Sequence, residues 1–341
     1  MIAVAALCVL FGAGPAAAEE TSAEFVNQPV AFVVQNVNKT AVPCSGDGKT
    51  YTVRGHLIGP ASELESGEPA SGTLYLHGLE LGEWFWQVPA DGFNHAEELA
   101  ERGHVSITID RLGYGSSGHP AGLKSCVGSH ATVAHQIVQQ LRAGTYGGDL
   151  HPSFSRVALA GHSLGGAIAQ VEAYSFADVD AVAILSYADI ALSASALLTS
   201  TSWGPSCVLG GKASTAGAPG YAFFTRNQAA YRSNFLAQAS SEVFPFADAG
   251  RSLNPCGDLM SAVPAAVVSG LSARRITVPV LLLMGDKDLV FDYRRLPLQK
   301  PLYGGPTTTR VIAGATHGLT VDRGAAEFRS ALEDWLISQD F

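Results

Sequence analysis

The chain has 341 residues, of which 47% are hydrophobic and 15% charged, and a formal net charge of -9 at pH 7. This apolar content suffices for a large core and excludes a disordered chain. The negative balance excludes nucleic acid and anionic membrane surfaces as partners drawn in at long range, and leaves a small neutral molecule unopposed.

The chain opens on an apolar run from Ile2 to Phe11, broken by Gly12, Gly14 and Pro15. Ala16-Ala17-Ala18 then supply the small residues of a cleavage site ahead of Glu19-Glu20, so residues 1–18 read as a signal peptide and the protein as secreted. No Lys or Arg precedes the run, which makes a membrane anchor the competing reading. Against it, the run is shorter than the ~20 residues of a spanning helix. No later segment reads as long and apolar enough to span a bilayer. Loss of Cys8 with the leader leaves Cys44, Cys126, Cys207 and Cys256. Four cysteines in an exported chain read as two disulfides, with three connectivities open. The favoured pairing is Cys207 with Cys256 and Cys44 with Cys126, and no pair has the Cys-x-x-Cys spacing of a zinc site. Residues 19–49 form a polar lead-in of unassigned structure. Within it, Asn38-Lys39-Thr40 has the form of an N-glycosylation acceptor.

From Thr50 onward, short β-branched runs alternate with helical stretches. Strands are expected at Tyr51 to Ile58, Thr73 to Leu76, Val105 to Asp110, Arg156 to Ala160, Ala181 to Leu185, Val278 to Met284 and Thr308 to Ile312. Helices are expected at Asn94 to Arg102, Ser129 to Arg142, Leu164 to Phe176 and Arg323 to Ile337. Several strands are apolar throughout, as burial on both faces demands. The pattern predicts the α/β class, a mostly parallel central sheet flanked by helices. Between Ala188 and Arg274 the alternation fails and small residues, Gly, Pro and scattered aromatics take over. This stretch reads as a lid inserted between two parts of the core, 50–187 and 275–341. Trp84 and Trp86, and Phe223 and Phe224 in the insertion, are candidate pocket residues.

Gly161-His162-Ser163-Leu164-Gly165 stands between an apolar strand and a helix. That context turns a common motif into a specific one, because the serine must sit on a sharp strand-to-helix bend to present its hydroxyl. Serine needs a base to take its proton, and the base needs a carboxylate to orient it. In the chain order this bend implies, Asp288 and then His317 follow, each just beyond a strand, at the sheet edge where open α/β sheets build sites. Asp286 competes with Asp288 for the carboxylate role. The backbone N–H of Leu164, and that of Leu79 in the loop after His77-Gly78, are candidate donors to a carbonyl oxygen that gains charge. Asp110 and Arg111 read as bracing a loop, and His130 and His135, five apart, as helix-surface residues rather than a metal pair.

These segments together resemble the lidded α/β-hydrolases of esterase and lipase type, over Thr50 to Ile337. The resemblance rests on His77-Gly78, Asp110-Arg111-Leu112-Gly113-Tyr114-Gly115-Ser116-Ser117, Gly161 to Gly166, Gly285-Asp286-Lys287-Asp288 and Thr316-His317. It implies the α/β-hydrolase fold, a small-molecule ester-like substrate, and acyl transfer at Ser163 without a metal or organic cofactor. It also implies an acid three residues after a glycine, where Asp288 stands relative to Gly285. His77-Gly78 lacks the Gly-Gly run of one esterase branch. Cofactor-free perhydrolysis and a non-catalytic binding protein on the same fold are the alternatives.

Overall fold

The computed structural model describes residues 24–341; the expected signal peptide and its cleavage point lie outside the described residues. The first half of the chain forms β1 (Phe25–Gln35), β2 (Thr50–Pro60), α1 (Ala61–Leu64), β3 (Ala70–Leu76), α2 (His95–Ala100), β4 (Ser106–Asp110), α3 (Val127–Ala143), β5 (Phe154–His162), α4 (Leu164–Phe176) and β6 (Ala181–Leu185). Then come α5 (Ala194–Val208), β7 (Tyr221–Ala222), α6 (Gln228–Phe235), α7 (Phe244–Ala249), β8 (Asn254–Pro255) and α8 (Cys256–Ser272). The chain ends with β9 (Val280–Gly285), α9 (Leu296–Gln299), β10 (Thr307–Ile312) and α10 (Ala325–Ile337).

Eight strands make one sheet in the order β1-β2-β4-β3-β5-β6-β9-β10. β2 runs antiparallel to both β1 and β4, and the remaining pairs are parallel. Successive side chains of a strand leave on opposite faces, so each apolar run feeds two cores. On β6, Val182 and Ile184 join the core beneath α3 and α4, while Ala181, Ala183 and Leu185 join the one that includes Leu99 of α2 and Phe328 and Leu332 of α10. The fold is the α/β-hydrolase fold expected from the sequence, with the seven expected strands and four expected helices in place.

β1 lies in the stretch that read only as a polar lead-in. Val30, Phe32 and Val34 face inward, and Pro29 is tolerated because β1 is an edge strand, where a missing N–H need not break a ladder. Further along the lead-in, the Asn38 amide nitrogen donates to the carbonyl oxygens of Val42 and Cys44 at 2.7 and 2.8 Å. The atom a glycan would occupy is thus committed to a turn.

Residues between β6 and β9 add no strand to the main sheet; α5 to α8 and the two-residue β7–β8 ladder fill this segment. The disulfides are Cys44–Cys126 and Cys207–Cys256. The second ties the last turn of α5 to the first residue of α8. One expectation needs correction here: Cys256–Arg275 is a helical stretch of 20 residues long and apolar enough to cross a bilayer. It is half buried against the protein, with its first residue bridged to α5, while Met260, Val263, Val267 and Leu271 are exposed. His130 is likewise not a surface residue. It is buried on α3 with Nε2 2.9 Å from Oδ1 of Asp258 on α8, a partner no local pattern reveals.

Replacing Cys44 and Cys126 together by Ser releases a closure across 82 residues. The expected loss is about 2–5 kcal/mol of unfolding free energy, measurable as a lower midpoint in denaturant titration; an unchanged midpoint would mean that the bridge constrains nothing in the unfolded chain.

Candidate active site

Ser163 joins β5 to α4 with φ 54° and ψ -122°, a backbone region that L-residues avoid unless their surroundings enforce it. Here the enforcement is crowding. A Cβ on Gly161 would lie 2.1 Å from the Gly165 carbonyl oxygen, and one on Gly165 would lie 2.1 Å from that of Leu76. Only glycine allows the strand, the bend and the helix to meet this closely. The Ser163 N–H is tied to the carbonyl of Leu185 at 2.8 Å, so the hydroxyl stands at the carboxyl edge of the sheet.

Two loops from the same edge converge on that hydroxyl. His317, beyond β10, places Nε2 2.9 Å from Ser163 Oγ. Asp288, beyond β9, places Oδ2 2.8 Å from His317 Nδ1. The second carboxylate oxygen of Asp288 accepts from the N–H groups of Val290 and Phe291 at 2.7 and 3.0 Å. With Nδ1–H donated to the carboxylate, Nε2 is left as an acceptor for the serine hydroxyl. Asp286 instead accepts from the Gly314 N–H at 2.7 Å, bracing the loop before His317. Leu79 and Leu164 line the same cavity as Ser163. Among the described residues, neither of their N–H groups donates to another part of the chain.

The cavity encloses about 590 Å³ and is mostly apolar, with Phe224, Phe235, Leu259 and Val263 among its walls. Of the four aromatic candidates, only Phe224 lines it. Trp86 is fully buried and packs on Tyr75 at 4.9 Å; it is core. Trp84 and Phe223 line a separate cavity of about 720 Å³ that does not include Ser163. There Trp84 donates to the Gly250 carbonyl at 3.1 Å, and the Arg251 guanidinium sits 4.1 Å over the Phe223 ring. Their aromatic character could not reveal which cavity they face.

The profile of the alpha/beta hydrolase family matches residues 74–331, a span that contains every group just described. The chain belongs to the alpha/beta hydrolase family. The hydrolase also superposes on solved structures. A thermophilic esterase from Thermogutta terrifontis matches with a TM-score of 0.60 and 15% identity, over 90% of this chain and 98% of that one. A monoacylglycerol lipase from Paleococcus ferrophilus matches at 0.55 and 20%, over 80% and 97%. An esterase from Exiguobacterium antarcticum matches at 0.58 and 16%, over 89% and 99%. At such identities the likeness is one of fold. No curated protein matches the sequence.

Further residues shape the hydrolase site through tertiary contacts; among them Arg111 braces a loop, as its sequence context suggests. His162 Nε2 donates to the main-chain carbonyl of His317 at 2.7 Å, and burial holds its ring well below the usual histidine range. A neutral imidazole therefore locks the loop that carries His317. Phe235 and Phe291 pack on the His317 ring at 5.0 and 5.9 Å. The loop bearing Leu79 is bolted to the segment after β6. Buried Glu80 accepts from Thr225 Oγ1 at 2.6 Å and from Arg251 at 3.2 Å, and its N–H donates to Asn254 at 2.7 Å. Arg111, itself buried, reaches the His77 carbonyl at 2.9 Å and Asp258 at 3.0 Å.

Asp322 accepts from both the N–H and the hydroxyl of Thr316, the residue before His317. Burial pushes its carboxyl up from 3.8 to about 6, although the Thr316 donors oppose the rise. A raised acid binds its proton more tightly in the folded state, so its contribution to stability is whole below the unfolded value and is lost as pH climbs through about 6. Relative to wild type, Asp322→Asn should therefore gain in melting temperature between about pH 4 and about pH 7, by on the order of 5 °C. A constant difference between the two proteins across that range would show that Asp322 titrates as an ordinary carboxylate.

Proposed function

We propose that the protein is a secreted serine hydrolase that cleaves carboxylic esters bearing apolar acyl groups, with Ser163 as nucleophile, His317 as general base and Asp288 as the carboxylate that orients it. The observation that carries the reading is the unbroken chain of contacts from the serine hydroxyl through both imidazole nitrogens to a carboxylate, 2.9 and 2.8 Å long, at the wall of an apolar cavity. In the first half-reaction Ser163 Oγ attacks the ester carbonyl while His317 Nε2 takes the hydroxyl proton. Asp288 stabilises the resulting imidazolium and keeps the ring in the reactive tautomer. The tetrahedral oxyanion accepts from the N–H groups of Leu164 and Leu79. His317 then returns the proton to the departing alcohol, leaving an acyl group on Ser163. Water enters, gives its proton to His317, attacks the acyl carbon and frees the acid, and the same proton restores the serine hydroxyl.

Residues 188–274 act in this reading as a lid that walls the crevice, stapled by Cys207–Cys256. The apolar lining favours an ester carrying a hydrocarbon acyl chain over a strongly polar substrate. Export is supported by the two disulfides, which persist in oxidising compartments, together with the apolar leader.

A fluorophosphonate probe should label wild-type protein and not Ser163→Ala, and the same substitution should abolish release of p-nitrophenol from short acyl esters while leaving the melting temperature unchanged. Labelling of Ser163→Ala would place the nucleophile elsewhere, and an unlabelled wild type would identify a binding protein on a hydrolase fold. Within an acyl-length series, Phe224→Ala should shift the preferred length toward longer chains, by about 1–3 kcal/mol per methylene accommodated. Phe223→Ala should leave that profile in place, and equal shifts in both variants would overturn the separation of the two cavities.

A further inference from the structure

Glu172, on the third turn of α4, is fully buried. Neither of its carboxylate oxygens has a hydrogen-bond donor facing it, and Oδ1 of Asp178, just past the end of α4, is buried in the same condition. Interior carboxylates without a partner are costly and rare in native proteins. Burial and the neighbouring Asp178 both push the Glu172 carboxyl well above its usual range. The cation whose charge reaches Glu172, Arg142 on α3, is engaged elsewhere: it donates to the main-chain carbonyls of Asp178 and Ser155 and to the Asp180 carboxylate. What faces the pair from α3 is His135, whose Nδ1 lies 2.7 Å from Asp178 Oδ2. Its ring is held flat against Phe176 of α4, at 4.1 Å between centroids and 8° between planes.

We propose that His135, Glu172 and Asp178 form a binding site for a first-row divalent cation, Zn²⁺ in the first instance, which clamps α3 to the end of α4. Their ligand atoms lie within 4.8 Å of one another, and small side-chain rotations bring them onto a shell of about 2.0–2.2 Å radius. One imidazole nitrogen and two carboxylates, with a water in the fourth position, are a zinc-type donor set. The nitrogen disfavours Ca²⁺ and Mg²⁺, which take oxygen ligands. Entry is open from one side, since the His135 and Asp178 side chains are 26% and 15% exposed while Glu172 forms the floor. The Gln139 amide donates to Asp178 Oδ2 at 2.6 Å and so orients that carboxylate from the second layer, as metal-ligating groups require. The site is separate from the one around Ser163: Glu172 stands nine residues further along α4, roughly 13 Å down the helix axis. The ion's effect therefore falls on stability. The rival arrangement is a proton shared between Glu172 and Asp178, which needs no ion and gives none a place.

The two are separated by titrating ZnCl₂ or CaCl₂ into tag-free, EDTA-stripped protein, followed by calorimetry and by thermal unfolding. In wild type, one Zn²⁺ should bind at this site and raise the melting temperature by on the order of 5 °C at saturation, with no rise in Ca²⁺. Glu172→Gln keeps the shape, and His135→Ala removes a partly exposed side chain; both should lose the response. A wild type whose melting temperature ignores Zn²⁺, or a Glu172→Gln protein that keeps the full rise, would overturn the site, and a rise in Ca²⁺ equal to that in Zn²⁺ would overturn the assignment of the ion. If Glu172→Gln fails to fold, His135→Ala alone decides: a retained Zn²⁺ response sinks the proposal.

Discussion

The arrangement of this molecule depends on how closely backbone can approach backbone around residues 161 to 165. β5 must stop, turn and become α4 within a space where a single methyl group at Gly161 or Gly165 would overlap a carbonyl oxygen. That crowding holds Ser163 in a conformation a serine would not choose, and the surrounding sheet enforces it through the bond from the Ser163 N–H to the Leu185 carbonyl. The loops bearing Asp288 and His317 then need only be parallel neighbours in register to arrive at the same point. β6, β9 and β10 supply that register.

A second layer of organisation is polar and buried. Glu80, Arg111, Asp258 and His130 stand inside the protein, and each is satisfied by a residue distant in sequence. Removing one member of such a pair leaves an uncompensated charge, at a cost of about 3–5 kcal/mol. Apolar contact alone would let the segment after β6 slide over the sheet edge. These directional contacts give it one seat, against the loop that carries Leu79.

Much of the fold was legible in the sequence because its signals are local. Runs such as Val182-Ala183-Ile184-Leu185 announce strands buried on both faces, and Gly161 to Gly165 announces the bend with the helix that follows. Chain order and position past strands pointed to Asp288 and His317, and these are the side chains that meet at Ser163. β1 escaped because its alternation is interrupted by Asn27, Gln28 and Pro29, residues an edge strand tolerates and a central one would not. Trp84, Trp86 and Phe223 misled because aromatic side chains pack equally well in a core, around a second cavity or in an acyl pocket, and only the tertiary structure distinguishes these. His130 and Glu80 were unreadable for a related reason: their partners lie more than 100 residues away, so no spacing rule connects them.

The disulfides carry a consequence for how the chain matures. In order of synthesis after Cys8, the cysteines are Cys44, Cys126, Cys207 and Cys256, and the bridges join the first to the second and the third to the fourth. The two covalent loops therefore neither nest nor interleave. An oxidant that couples each thiol to the next one to emerge produces the native pattern directly, with no reshuffling step. Cys8 is the one residue that spoils this arithmetic, since counting from it would join Cys8 to Cys44 and shift every later pair. A chain whose oxidation began at Cys8 would have to break and re-form bonds to reach the pairs Cys44–Cys126 and Cys207–Cys256.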